Sequence, residues 1–125
     1  MDLVQERPDY DYVLRAADGR SARVNDRTLH ASFIIAPDAL LEDWDVGPAT
    51  GLTIAQLDPL LALEPELVVL GTGDGQGFPP AEAMAACLSR GIGLEAMNNA
   101  AAARTFNVLA SEGRRVVAGF ILAGD

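Results

Sequence analysis

Two stretches of this chain gather polar side chains in patterns that could bind a ligand. The first is the loop Gly71-Thr72-Gly73-Asp74-Gly75-Gln76-Gly77-Phe78-Pro79-Pro80, which joins a short apolar run, Glu66 to Leu70, to a helix opening at Pro80. Open α/β sheets bind ligands at such corners, because backbone N–H groups and a helix dipole converge there. Glycines let the backbone approach a ligand closely, and Thr72 and Asp74 supply polar groups. The dinucleotide pattern G-x-G-x-x-G is nevertheless broken, since its third glycine falls on Gln76 counted from Gly71 and on Phe78 counted from Gly73. The phosphate-loop pattern fails for want of lysine. Pro79 and Pro80 remove two N–H groups from the helix start, and Asp74 repels anions. The loop therefore reads first as a tight structural turn and second as a small-molecule site.

The second stretch is Asn98 to Arg115, NNAAAARTFNVLASEGRR. Laid out at about 100° per residue, Ala102, Phe106, Leu109 and Gly113 share one stripe, with Ala103 and Ala110 beside it. Asn107 lies on the flank of that stripe. Its amide competes with the helix backbone and needs a partner if buried, so it is expected to tie a neighbouring loop, such as the glycine loop, to the helix. Thr105 and Glu112 share another face, Arg104 aligns with Ser111, and Glu112, Arg114 and Arg115 gather at the helix-to-strand corner. The candidate binding residues are thus Thr72, Asp74, Arg104, Thr105, Asn107, Glu112 and Arg114. Their cleft would lie between the Gly71–Gly77 loop and the last helix.

Other reactive residues are few. Cys87 sits among Ala83, Met84, Ala86 and Leu88, as a small buried hydrophobe does. His30 alternates with Leu29 and Ala31 on a polar strand face. A Cys87–His30 dyad would require tertiary proximity. Asp38, Glu42, Asp43 and Asp45 around Trp44 lack the spacing of a calcium loop. All nine basic residues are Arg, which excludes lysine Schiff-base chemistry. One Cys and one His cannot furnish a structural zinc site. No catalytic set, metal or cofactor is assigned. The net charge of −9 opposes nucleic-acid binding and polybasic membrane contact. Apolar runs such as Val116 to Ala123 are too short to span a bilayer, and the amino terminus lacks the pattern of a signal peptide. A cytoplasmic location is expected.

The elements that must position these residues follow from periodicity. Residues 1–9 read as a mobile acidic tail. Tyr10 to Ala16, Arg20 to Val24 and Thr28 to Ile35 alternate as strands around turns at Asp18-Gly19 and Asn25-Asp26, an antiparallel meander. Leu40 to Val46 is an edge strand or an ordered loop. Thr53-x-x-Gln56 is a capping box opening a helix at Ile54, kinked or split at Asp58-Pro59 and ending near Leu63. Then come a buried strand to Leu70, a helix from Pro80 to Gly91, a strand from Gly93 to Met97, a helix capped by Asn98 or Asn99 and stopped by Gly113, and a strand from Arg115 to Leu122. At 125 residues the chain is expected to form a single domain, 1–125.

Three places in that order carry a resemblance: Trp44-Asp45-Val46; Pro65-Glu66-Leu67-Val68-Val69-Leu70-Gly71-Thr72-Gly73; and Gly91-Ile92 to Glu95 with Asn98-Asn99-Ala100, Thr105-Phe106-Asn107-Val108-Leu109 and Glu112-Gly113-Arg114. The chain resembles the family of small proteins of unknown function that includes a mitochondrial assembly factor for respiratory complex I. The resemblance implies an α/β, compact three-layer fold, with a central mixed β-sheet flanked by helices and an additional small antiparallel β layer from the meander. It also implies a non-catalytic assembly or interaction role with a protein partner. A small-molecule-binding domain or small enzyme using the cleft is the alternative. Oligomeric state is not legible in the sequence.

Overall fold

The computed structural model describes residues 10–75 and 77–123; the tail expected at residues 1–9 and Gln76 of the glycine loop lie outside them. The chain opens with the expected antiparallel meander, β1 (Leu14–Ala17), β2 (Ala22–Val24) and β3 (Arg27–Leu29), paired in that order, although its first strand begins at Leu14 rather than at Tyr10. Its turns are made by short polar side chains. Asp18 Oδ1 accepts the N–H groups of Arg20 (2.8 Å) and Ser21 (2.9 Å). Asn25 holds φ at +53°, a value this residue type tolerates.

The third strand is two strands. The expected run Thr28 to Ile35 breaks at His30–Ser32, so that Phe33–Ala36 becomes β4 of a different sheet. Ser32 makes the break. Its carbonyl accepts Trp44 N–H (2.9 Å) and its Oγ accepts Leu122 N–H (2.9 Å), anchoring the corner where the chain changes sheets. β5 (Ala39–Leu41) is a short edge strand, and Trp44 follows it in an ordered loop.

The second half alternates as read: α1 (Ile54–Leu61), β6 (Leu67–Gly71), α2 (Ala81–Leu88), β7 (Gly93–Met97), α3 (Asn99–Ser111) and β8 (Val116–Phe120). The capping box at Thr53 and Gln56 is present on both sides. α1 is neither split nor prolonged to Leu63. It runs continuously through Pro59, and the Ala55 carbonyl that Pro59 cannot pair lies on an exposed turn, where water can reach it. Gly91 and Gly113 follow their helices with φ near +73° and +77°, as helix stops.

The central sheet has the order β5-β4-β8-β6-β7, parallel across β8-β6-β7 and antiparallel at β4 and β5. It separates two cores. On one face α1, α2 and Trp44 pack on Ile34, Val68, Leu70 and Val117. On the other, α3 and the meander pack on Phe33, Ile35, Val69, Ala118 and Phe120. Phe33 and Phe120 stack with centroids 5.0 Å apart, and both are fully buried, as is Phe106 of α3. Burying each such side chain contributes about 1.5–3 kcal/mol. The fold is therefore the three-layer α/β arrangement with its extra small β layer.

Trp44 fixes the α1 side. It is 7% exposed, its Nε1–H donates to Gln56 O (2.9 Å), and its benzo ring lies on Gly119 of β8. A Cβ at position 119 would meet Trp44 ring carbons at 2.5 and 2.7 Å and Leu60 Cδ2 at 3.2 Å. We expect Gly119→Ala to destabilise by about 2 kcal/mol or more, the usual range for overpacking. Trp44→Phe, which removes the overlapping atoms, should make the double variant more stable than the sum of the two singles, a coupling that urea denaturation measures.

Candidate functional site

In a doubly wound sheet a ligand crevice opens where neighbouring strands send their chains to opposite faces. Here that place is between β6 and β7, because α2 lies on one face and α3 on the other. The glycine loop rises from β6 at this point, as the sequence pattern predicts.

The side chain of Asn99 lies over the end of β6, between the glycine loop and the end of β8. Asn98 is the helix cap, its Oδ1 accepting Ala101 N–H (2.8 Å). Asn99 is fully buried and turns inward instead. Its Nδ2 donates to Asp18 O in the β1–β2 turn (2.8 Å) and to Ile121 O beyond β8 (3.0 Å), and its Oδ1 accepts Gly73 N–H (3.1 Å). Its backbone N–H, free in the first helical turn, donates to Gly73 O (2.8 Å). One amide thus joins the glycine loop, the hairpin tip and the end of β8. The glycines around it follow from this packing. A Cβ on Gly71 would overlap Asn99 Oδ1 and meet Phe120 at 3.0 Å, and Gly73 adopts φ of +104°.

The other polar groups of the loop are also engaged. The Thr72 hydroxyl lies 2.7 Å from Gly75 O and 3.1 Å from Met97 O and accepts Gly77 N–H (3.2 Å). Asp74 Oδ1 accepts Gly19 N–H (2.7 Å), and a Cβ on Gly19 would strike that carboxylate. The open space beside the loop is a cavity of about 470 Å³ lined by Gly19, Arg20, Val46–Pro48, Thr72–Asp74 and Ile121–Ala123. No residue of α3 lines it, so the cleft sits against the hairpin tip and the 46–48 segment rather than the last helix.

The structure distributes the remaining candidates over other surfaces. Asn107 is a tie, but to β1 and not to the glycine loop. Its Oδ1 accepts Leu14 N–H (3.0 Å) and its Nδ2 donates to Leu14 O (2.7 Å), so the side chain stands in for a neighbouring strand. Arg104 and Thr105 lie with Val108 and Leu109 on the outer side of α3. Thr105 Oγ1 reaches Met97 Sδ at 3.3 Å. At the α3–β8 corner the partners of the arginines come from elsewhere in the chain: Arg114 pairs with Glu66 (3.4 Å) and Arg115 with Asp38 (2.5 Å), while Glu112 makes no ion pair among the described residues. Arg115 also donates through Nε to Leu63 O and through its backbone N–H to Glu66. The Arg115 guanidinium holds the Asp38 carboxyl below its ordinary range, and the Arg115 N–H, with Arg114, does the same for Glu66.

Cys87 is fully buried in the α2 core and burial pushes its thiol up, away from thiolate reactivity, while His30 is exposed. Reading the sequence for reactive groups missed Asn99. Its signal was present: Asn99 falls seven residues before Phe106, on the stripe that faces the core.

The result is a two-sheet α/β protein in which the polar groups at the loop ends hold the elements together. The chain belongs to the family described as protein of unknown function (DUF498/DUF598), which matches residues 14–121. It is 30% identical over 123 residues to the Danio rerio protein named NADH dehydrogenase (ubiquinone) 1 alpha subcomplex assembly factor 3, covering 97% of this chain and 70% of that protein. It is 36% identical over 85 residues to the 13 kDa major membrane protein of Francisella tularensis, covering 67% of this chain and 69% of that one. Among solved structures, the NMR structure of Xanthomonas campestris XCC1710 shares 59% identity at a TM-score of 0.84, covering 99% of this chain and 94% of that chain.

Replacing Asn99 by Ala strands Gly73 N–H and two carbonyls, and we expect a loss of about 3 kcal/mol or more, against about 1 kcal/mol for removing the cap with Asn98→Ala. Urea unfolding of the two variants makes the comparison. Asp38 and Glu66 have depressed folded pKa values, so their contribution is present above the unfolded carboxylate pKa and is lost as pH falls through the lowered folded values. The stability difference between the wild type and Arg115→Met should therefore be full at neutral pH and shrink below about pH 4. Denaturation midpoints measured across that range check the sign.

Proposed function

We propose that this protein is a non-catalytic interaction or assembly factor, a single domain that works in the cytoplasm by binding a protein partner, without nucleic acid and without inserting into a membrane. The observation that carries the reading is the use of the polar groups at the sheet's crevice. Asn99, Thr72 and Asp74 are bonded to the protein itself, and no buried side-chain nitrogen or oxygen among the described residues lacks a partner. An active site instead keeps polar groups aimed at an absent ligand. The assembly-factor name of the zebrafish relative supports the same reading, and no helix among the described residues is long and apolar enough to cross a membrane.

Affinity capture from lysate of the native host, under mild salt, tests it. A defined partner should be recovered reproducibly, and Arg104→Glu, on an exposed side chain with no ion pair among the described residues, should weaken its recovery. Failure to recover any reproducible partner would contradict the reading.

The cavity beside the glycine loop favours one alternative, a small-molecule-binding domain or small enzyme. Its volume of about 470 Å³ lies within the range of ligand pockets, and Thr72 and Asp74 stand on its wall. A metabolite-library thermal shift decides between the two. A ligand that raises the unfolding temperature, with Arg20→Ala abolishing the rise, would favour the alternative.

A further inference from the structure

The central sheet ends at β7, and that edge is open. Met97 turns its carbonyl to Thr72 N–H on the β6 side (2.9 Å). By the two-residue alternation of a strand, Leu94 and Ala96 turn their N–H and C=O groups outward. No strand, loop or side chain among the described residues bonds those groups. β5, the opposite edge, is only three residues long, whereas β7 presents five.

Apolar side chains flank the β7 edge on both faces. On α2, Ala83 and Cys87 face the core, and the neighbouring stripe, Met84 and Leu88, is exposed, Leu88 by 67%. A right-handed β6–α2–β7 crossover turns that stripe away from α1 and toward the β7 edge. On the other face, half-buried Leu109 lies on the same side of α3 as Thr105, which touches Met97. The only charge on β7 is Glu95, which is exposed; Leu94 and Ala96 pack toward α1 and α2, so Glu95 points to the α3 side.

We propose that an extended partner segment, apolar and basic residues alternating, adds to the free edge of β7 as a sixth strand. The proposal rests on the reading of the protein as an interaction factor and names the chemistry of its partner. Backbone pairing to Leu94 and Ala96 supplies the attachment. Apolar side chains of the segment meet Met84 and Leu88, and the residues between them lie opposite Glu95, where a basic side chain is favoured and an acidic one disfavoured. The net charge of −9 works in the same direction. A second copy fits less well: antiparallel pairing of Leu94 with the partner's Ala96 sets the two copies' Glu95 side chains against each other.

The probe is the peptide acetyl-Val-Lys-Val-Lys-Val-amide, titrated into isotope-labelled protein, with the Glu-for-Lys peptide as control. The Lys peptide should shift the Leu94 and Ala96 amides and slow their exchange with solvent, and the Glu peptide should bind about threefold more weakly or worse. Glu95→Lys should invert that preference. Ala96→Pro should abolish binding and leave the unfolding midpoint close to wild type, because the lost N–H faces outward on an edge strand; Leu88→Asp, at an exposed site, serves should the proline variant fail to fold, and should also weaken binding. Equal affinity for both peptides, or shifts confined to the cavity at Gly19 and Ala123, would overturn the proposal. So would a dimer in sedimentation equilibrium that Ala96→Pro dissolves, since a second copy would then hold the edge. A partner captured from lysate that binds Ala96→Pro as well as wild type leaves the assembly reading standing and removes only the β7 site.

Discussion

The fold depends on one buried amide. Asn99 sits where β6 and β7 part, at the point that a doubly wound sheet leaves open. Its three side-chain hydrogen bonds hold together segments that are far apart in the chain: Asp18 in the first hairpin, Gly73 after β6 and Ile121 after β8. Each pairs a partly buried backbone N–H or C=O at a join between elements, and leaving such a group unpaired costs up to about 1–3 kcal/mol. An apolar residue of the same size would fill the space and strand all three. The amide therefore determines more than local packing. It docks the small antiparallel sheet onto the larger one, it requires Gly71 to have no side chain, and it draws the glycine loop down over the crevice.

The same economy appears at other joins between elements. Asn107 offers its amide to both backbone groups of Leu14 and so completes the outer edge of β1. Ser32 bonds Leu122 and Trp44 where the chain leaves one sheet for the other. Arg115 reaches Leu63, Glu66 and Asp38 at the opposite end of β8. Polar side chains that look available for chemistry in the sequence are largely the fasteners between two sheets that share a core. What remains unengaged is surface: the outer side of α3, the cavity beside the hairpin tip, and the β7 edge.

Much of the architecture was legible because local signals agreed with the tertiary structure. The capping box at Thr53, the glycine stops at 91 and 113, and the unbroken apolar run to Leu70 each set an element correctly. The break at Ser32 was not legible, since Thr28 to Ile35 alternates well enough to pass as one strand. Only the tertiary bonds to Trp44 and Leu122 show that it is two. Of the kink or split expected at Asp58-Pro59, the split is absent for a complementary reason: the Ala55 carbonyl that Pro59 leaves unpaired lies on an exposed turn. At the site, the pattern correctly located the glycine loop and gave Asn107 a tying role. It could not give the partner, because Leu14 lies 93 residues away in sequence. Asn98 and Asn99 looked interchangeable as caps, although only one of them shares a helical face with Phe106.

Native-state hydrogen exchange at the Gly73 amide reads out the fastening by Asn99. That N–H belongs to a glycine-rich loop on the rim of the sheet, where local opening is ordinarily easy. With Asn99 as the fastener, the Gly73 amide opens only with global unfolding, as the amides of β6 do, and Asn99→Ala frees it while β6 stays protected. Exchange of Gly73 at the rate of an exposed loop in the wild-type protein would show that Asn99 does not fasten the loop.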